Sequence, residues 1–245
     1  MIPPQPASDQ TTLIERLVNG GAGLARIEGR PVFIPGVCPG EEVRASIRKV
    51  KKDYSEGTLE EVLRSSPDRV TPPCPVAETC GGCQWQHLDY PAQIRSKEEI
   101  LREDLLRLGK ITEPNILPTV QAGEPFGYRT RIQLKVDVKK TSPETGFFAS
   151  NSNRIIPIDF CPVSREPLNR CLEVWNKIMS SQTGPLPPVK EININLAPST
   201  GEIQASYFID DESFEKLQMI ISEMRREIPE LVSQVITTRR GKRRI

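Results

Sequence analysis

The sequence shows no candidate membrane span, no pattern of a secretion signal and almost no net charge. No stretch of its 245 residues approaches the roughly 20 apolar residues that cross a bilayer, and its start shows no positive region followed by an apolar run. With 33 basic and 32 acidic residues, the net charge of +1 does not indicate nucleic-acid binding by the whole chain. We therefore predict a cytoplasmic protein with no membrane partner, in which any basic surface is local.

The six cysteines are too few for a disulfide scaffold, and their positions indicate a metal site. Cys74, Cys80 and Cys83 lie within ten residues, with two glycines between the last two, and Cys161 follows much later, before a proline. A local triplet completed by a remote Cys-Pro is more typical of an iron–sulfur cluster than of zinc. Two alternatives stay open: a zinc site with His87 as fourth ligand, and buried thiols.

The residues around these cysteines form a longer pattern. It consists of Cys74-x5-Cys80-Gly-Gly-Cys83-Gln-Trp-Gln-His-Leu88, Tyr90-x2-Gln93-x3-Lys97 and Cys161-Pro-Val163. This pattern resembles the cluster-binding half of the RNA uracil-5-methyltransferases, from about Thr12 to the end of the chain. The resemblance implies a four-iron four-sulfur cluster held by Cys74, Cys80, Cys83 and Cys161.

Short β-prone runs broken by glycines, from Thr12 to about Arg69, predict a small closed barrel of five strands. These runs resemble a TRAM domain, an OB-like RNA-binding barrel, notably in Gly20-Gly-Ala-Gly-Leu-Ala-Arg26 and Phe33-Ile-Pro-Gly-Val-Cys-Pro-Gly-Glu-Glu-Val43. Cys38, inside this match, is predicted to be a small apolar side chain in a turn.

Helical and strand periodicities organise the rest of the chain. Asp89 is expected to cap a helix to about Leu108, whose apolar stripe is predicted to be core: Ile94, Leu101, Leu105 and Leu108. Later come a strand from Tyr128 to Val138, a helix with Cys171 in its apolar stripe, a hairpin, a helix and a last strand. The predicted fold is mixed α/β, an OB-like TRAM barrel, a cluster-binding segment and a two-layer α/β sandwich, without a methyltransferase Rossmann domain. The predicted divisions are a disordered lead-in 1–11, barrel 12–70, cysteine segment and helix 71–112, and central domain 113–245.

Basic side chains in two places are candidate RNA contacts. The barrel holds a run without acids that includes Arg44, Lys49, Lys51 and Lys52, and lysines there can bind phosphates or simply solvate a hairpin edge. Period-two alternation places Arg129 and Arg131 on one face of a strand, which suits neighbouring phosphates or a flipped-out base, or else ordinary surface ion pairs.

The resemblance implies an enzyme that transfers a methyl group from S-adenosylmethionine to C5 of a uridine in rRNA or tRNA, after a cysteine attacks C6 of the flipped base. No residue here matches that nucleophile, the carboxylate base or the cofactor loop. We therefore predict the RNA-recognition and iron–sulfur half of such an enzyme, inactive alone, with S-adenosylmethionine bound only by a domain missing after Ile245. A separately encoded methyltransferase half is a candidate partner. The alternatives are a stand-alone RNA-binding module with a structural metal site and, less favoured, an electron carrier.

Overall fold

The computed structural model describes residues 9–121, 123–138, 143–182, 186–210, 215–238 and 241–244. Most of the predicted lead-in, residues 1–8, lies outside them. The chain divides into two compact units. The first consists of Met1–Glu78 and Cys83–Ala122, and the second of Thr79–Gly82 and Gly123–Ile245.

Five strands of the first unit close into a barrel in the order β1-β2-β3-β5-β4. They are β1 (Gln10–Leu17), β2 (Gly23–Ile27), β3 (Arg30–Ile34), β4 (Glu42–Val50) and β5 (Ser55–Arg64). Alternate residues point inward, as the period of two requires, and the core includes Ile14, Val32, Ile34 and Val43. The first strand begins two residues before the predicted start at Thr12.

A buried ion pair holds the segment after the barrel against the loop that enters β4. Glu41 is fully buried, and its carboxylate accepts hydrogen bonds from the backbone amides of Cys38 and Ser66 and from the guanidinium of Arg69. Arg69 also donates to the carbonyl of Gly36, at 2.8 Å. Burial acts to raise the pKa of Glu41, but these hydrogen bonds lower it overall.

Helix α1 (Tyr90–Arg107) begins where predicted, because the Asp89 carboxylate accepts the amide of Ala92 at 2.7 Å. The prediction that its leucine stripe is core is wrong. Leu101 is 47% exposed and Leu108 is 70% exposed. The buried residues of the helix are instead Ala92 and Ser96, small side chains that allow the helix to approach closely what it packs against.

The second unit is a seven-stranded sheet in the order β12-β11-β10-β9-β6-β7-β8. Its elements are β6 (Arg131–Asp137), β7 (Glu144–Phe148), β8 (Ile155–Pro157), α2 (Glu166–Ser181), β9 (Val189–Leu196), β10 (Ile203–Ile209), α3 (Glu215–Glu227), β11 (Leu231–Thr238) and β12 (Gly241–Arg244). The predicted β9–β10 hairpin is confirmed, and β10 and β11 are parallel with α3 between them in sequence.

Both helices of this unit pack on one face of the sheet. Trp175 of α2 is fully buried and lies 5.9 Å from the Tyr207 ring, centroid to centroid. The Tyr207 hydroxyl donates to Gln234, whose amide donates in turn to the carbonyl of Ile221 in α3. All the apolar positions predicted for α2 are buried: Leu168, Cys171, Leu172, Trp175, Ile178 and Met179.

Candidate nucleic-acid interface and cysteine segment

The turn at Cys80 is built into the edge of the second unit. Cys80 forms an antiparallel bridge with Ala149, just after β7, and the amide of Gly81 donates to the carbonyl of Phe148 at 2.9 Å. A Cβ atom on Gly81 would lie 3.0 Å from that carbonyl oxygen, so the close backbone approach favours glycine. The amide of Gly82 lies 3.4 Å from Cys80 Sγ, an N–H···S contact of the kind that surrounds metal-bound thiolates.

Asn169 of α2 fixes the backbone of Cys161. Its side-chain oxygen accepts the Cys161 amide at 2.9 Å, and its side-chain nitrogen donates to the Cys161 carbonyl at 3.1 Å. Asn169 is itself buried, so one polar side chain in the helix satisfies both backbone groups of this cysteine. The backbone of Cys161 is therefore held in place by a side chain of α2.

The four predicted ligands are divided between the two compact units. Cys80 and Cys161 belong to the second unit, whereas Cys74 and Cys83 belong to the first, where both are half-buried. Within the part of the chain that the structure describes, no group of three or more His, Cys, Asp or Glu side chains is arranged to hold a metal ion. The four thiols suit an iron–sulfur cluster chemically, and their assignment as its ligands stays a prediction.

His87, the alternative zinc ligand, is used in the core of the first unit. Its Nε2 lies 3.1 Å from the carbonyl of Val37, and because a carbonyl only accepts, the neutral ring carries its proton on Nε2. Burial lowers the pKa of His87. This hydrogen bond leaves Nδ1 as a possible ligand atom, so it does not decide the zinc alternative, which stays a prediction.

The remaining cysteines are buried thiols, as the sequence predicted. Cys38 and Cys171 are both fully buried, and burial raises the pKa of each to about 12. Cys38 Sγ lies 3.7 Å from the His87 carbonyl, which gives the thiol a weak hydrogen bond. Neither residue can supply a thiolate nucleophile near neutral pH.

The basic run of the barrel does not form one uniform cationic surface. Arg44 on β4 forms an ion pair with Glu61, its neighbour across the strands, and lies 3.9 Å from Asp9. Lys49 is exposed and faces Glu56 in the register of β4 and β5. Lys51 and Lys52 lie in the turn that joins these strands.

Arg30, at the start of β3, anchors this turn. Its guanidinium donates to the carbonyls of Lys51, Lys52 and Tyr54, the last at 2.9 Å, and its Nε donates to the Ser55 hydroxyl at 3.0 Å. The Lys51 amide also donates to the Tyr54 carbonyl, at 2.9 Å. The backbone of the turn is thus fixed without using the lysine side chains.

Arg129 and Arg131 lie where the strand β6 begins. Arg131 is exposed and opens the strand, three residues later than predicted. Arg129 forms a parallel bridge with Ser164, and its amide donates to the carbonyl of Val163 at 2.8 Å. The structure therefore joins the backbone of Arg129 to the turn that contains Cys161.

Two of the residues that organise the first unit were missed from sequence. Glu41 precedes β4 in phase with the inward-facing Val43 and Ala45, so continuing the alternation by one step indicates a buried acid. Arg30 follows a glycine turn and gives no comparable signal, because its partners lie more than twenty residues away.

Comparisons with known proteins agree with the barrel and extend beyond it. Residues 6–59 match the TRAM domain family. An uncharacterized RNA methyltransferase of Halalkalibacterium halodurans is 33% identical over 91% of this chain and 50% of its own length. An uncharacterized RNA methyltransferase from Aquifex aeolicus is 34% identical over 86% of this chain and 48% of its own length. One from Bdellovibrio bacteriovorus is 43% identical over 63% of this chain and 38% of its own length.

A solved structure shares the fold. The crystal structure of Pyrococcus abyssi tRNA (uracil-54, C5)-methyltransferase, in complex with S-adenosyl-L-homocysteine, superposes with a TM-score of 0.59. It is 21% identical and covers 96% of this chain and 52% of its own.

These comparisons correct the prediction that this protein lacks the methyltransferase domain and is only the RNA-recognition and iron–sulfur half of an enzyme. The relatives that align with nine-tenths of this chain are RNA methyltransferases, and the chain spans about half the length of those relatives. The prediction placed the S-adenosylmethionine-binding domain after Ile245 as a part missing from this protein, and the alignments with RNA methyltransferases do not support that division. A separately encoded methyltransferase partner is likewise unsupported.

Among the described residues, no helix has the length and apolarity to cross a membrane.

The chain thus contains a TRAM domain and, over about nine-tenths of its length, is homologous to RNA methyltransferases.

Proposed function

We propose that this protein is an S-adenosylmethionine-dependent methyltransferase that modifies C5 of a uridine in RNA. The observation that carries the proposal is the alignment with RNA methyltransferases over 91% of the chain, with a TRAM barrel at its start. The shared fold with a tRNA (uracil-54, C5)-methyltransferase supports the choice of base and position. S-adenosylmethionine would supply the methyl group.

The described residues contribute RNA contacts under this proposal. Lys51 and Lys52 are presented by an anchored turn of the barrel, and Arg131 is exposed on the sheet. Lysine and arginine side chains bind phosphates without reading sequence, so these groups would hold the RNA while a uridine leaves its stack. The buried thiols of Cys38 and Cys171 take no part in the chemistry.

The test is methyl transfer by the protein expressed from its own gene. Purified protein, unmodified rRNA and tRNA transcripts and methyl-labelled S-adenosylmethionine are incubated together, and nucleosides are separated by chromatography. Label in 5-methyluridine from one transcript supports the proposal and identifies the substrate. Tight RNA binding with no methyl transfer to either RNA contradicts it and favours the stand-alone binding module.

We also propose that Cys74, Cys80, Cys83 and Cys161 hold an iron–sulfur cluster. The spacing supports this, as do the close backbone approach at Gly81, beside Cys80, and the hydrogen bonds of Asn169 to Cys161. Protein purified without oxygen should be brown, with about four irons and four sulfides per chain. Cys161→Ser should lose the iron, whereas Cys171→Ala, which removes a buried thiol from the following helix, should keep it. Zinc without sulfide in the wild-type protein would contradict this.

A further inference from the structure

The first unit contains a cavity of about 420 Å³ that the proposed RNA contacts do not use. Its walls come from four places: the end of β1 with the loop after it, strands β2 and β3, the turn between β4 and β5, and one face of α1. In barrels of the OB type, strands 2 and 3, with the loop between strands 1 and 2 and the loop between strands 4 and 5, form the surface that binds oligonucleotides. The cavity therefore lies on the face of the barrel that is suited to such a ligand.

Two aromatic rings pack edge to face in the cavity wall. Phe33 of β3 and Tyr54 of the β4–β5 turn have ring centroids 5.4 Å apart with planes at 69°. Both side chains are only partly buried, although the barrel core is close by. Partly exposed aromatic rings in such a position are typical stacking platforms for unpaired bases.

The Tyr54 platform is held rigidly before any ligand arrives. Arg30 donates to the carbonyl of Tyr54 at 2.9 Å and to the hydroxyl of Ser55, the next residue, at 3.0 Å. The β1–β2 loop, which contributes Val18 and Asn19 to the wall, is also held: its Gly21 approaches Trp85 so closely that an added Cβ would lie 2.5 Å from the ring nitrogen. Fixed loops on both sides lower the entropy cost of binding a flexible single strand.

The charges in the wall favour a base over a phosphate. Three arginines are balanced by three acids, and Arg16 forms an ion pair with Glu103 at 3.1 Å. The lining residues of these two kinds are Arg16, Arg26, Arg107, Asp53, Glu103 and Asp104. Carboxylates repel a phosphate but accept hydrogen bonds from the amino groups of a base. Lys51 and Lys52 precede Asp53 in the same turn, so phosphates have a basic site beside the cavity.

We propose that this cavity receives one unstacked base of single-stranded RNA, which stacks on the Tyr54 ring, itself packed edge to face against Phe33. The inference rests on the proposed RNA function and adds a nucleotide subsite to it. It places recognition of a base on the barrel, separate from the uridine that is methylated.

The experiment measures affinity for a fluorescein-labelled 12-nucleotide single-stranded RNA by anisotropy. Tyr54→Leu keeps apolar bulk but removes the ring on which the base stacks, so binding should weaken by about five- to 150-fold, the range for loss of one base–aromatic stack. Phe33→Leu removes the ring that packs against Tyr54 and should weaken binding by less. Tyr54→Phe keeps the ring and should bind like the wild type. Leu63→Ala removes an exposed apolar side chain of the same barrel outside the cavity and should also bind normally.

Thermal melting of each variant separates lost stacking from lost folding. If both leucine variants unfold, crosslinking of 4-thiouridine RNA to the wild-type protein gives the answer: adducts on Phe33 or Tyr54 support the cavity, and adducts confined to other residues overturn it. Wild-type affinity in a folded Tyr54→Leu variant also overturns it. Failure of the wild-type protein to bind any RNA would instead contradict the proposed function.

Discussion

In the barrel, Arg44 faces an acid on the neighbouring strand, whereas in the sheet Arg131 faces an amide. The partner of Arg44 in the register is Glu61, and the partner of Arg131 is Asn195. Among the described residues, no ion pair to Arg131 is seen. A basic run in sequence is therefore a poor measure of basic surface, because the cross-strand neighbours decide how much charge is left for a ligand.

The first unit also differs from the sheet in containing an ion pair whose carboxylate is completely buried. Glu41 is fully buried, whereas Glu191 of the sheet, which pairs with Lys135, keeps 20% of its side-chain surface exposed. Four hydrogen bonds offset the cost of removing the Glu41 carboxylate from water. Glu41 therefore stabilises the loop before β4 only while all its partners remain.

The largest expected effect is on Glu41. Glu41→Gln leaves the partly buried guanidinium of Arg69 without its counter-ion and should lower the free energy of unfolding by about 3 kcal/mol. Glu61→Gln removes the exposed partner of Arg44 and should cost no more than about 1 kcal/mol. Urea denaturation measures both. Equal losses from the two changes would show that burial does not distinguish these pairs.

A smaller effect should appear on acidification. Folding lowers the pKa of His87, mainly through burial, so its contribution to stability is complete above the ordinary histidine value of 6.5 and is lost as the pH falls. Folding also lowers the pKa of Glu41, but that contribution is lost only below the ordinary value of 4.5. Between pH 6.5 and 5 the slope should be at most about 1.4 kcal/mol per pH unit, the value for one proton.

The matched variant is His87→Gln, whose amide can still donate to the Val37 carbonyl but does not titrate. Denaturation of both proteins at several pH values should show a slope in the wild type that the variant lacks above pH 5. The same slope in both proteins would assign the acid sensitivity to other groups.

Periodicity predicted which segments form strands and helices better than it predicted which of their side chains are buried. The barrel, the hairpin of β9 and β10 and the buried face of α2 follow from alternation and helical spacing, and the TRAM match supports the first. In α1 the same reasoning failed, because Ala92 and Ser96 form the buried face and the larger leucines do not. Spacing identifies a face by its apolar content, whereas close packing against the barrel selects small residues.

The candidate site was predictable only as far as its residue types. The cysteine spacing and the alternating arginines could be read along the chain, but Glu61 opposite Arg44 depends on strand register. Arg30 and the rings of Phe33 and Tyr54 are joined by contacts across twenty or more residues. These contacts form only when the barrel closes with a particular strand register. That register could not be predicted from the sequence alone.

The comparison of the two arginine sites predicts different losses of RNA affinity. Arg129→Gln with Arg131→Gln should weaken binding of the 12-nucleotide RNA by about tenfold, because no ion pair to either side chain is seen in the described part of the chain. Arg44→Gln should change it less than twofold, since Glu61 already neutralises that charge. Anisotropy measures affinity, and melting should show stability within about 0.5 kcal/mol of wild type. Lost stability at unaltered affinity would return Arg129 and Arg131 to ordinary surface ion pairing.

The smallest expected effect concerns Lys51 and Lys52, which lie in the barrel but, unlike Arg44, extend from a turn. Their side chains take no part in the hydrogen bonds that Arg30 makes to the turn, so Lys51→Gln with Lys52→Gln should leave its backbone in place. If each lysine binds one phosphate, the salt dependence of log affinity should flatten by about 1.4, which is two contacts at about 0.7 each for a single strand. The loss should be similar for every RNA sequence, because phosphates carry no base information. Titrations at several salt concentrations with two unrelated RNAs measure both quantities, and Arg44→Gln serves as the paired control. An unchanged salt slope would make these lysines solvated turn residues, and a loss confined to one RNA would assign them to base recognition.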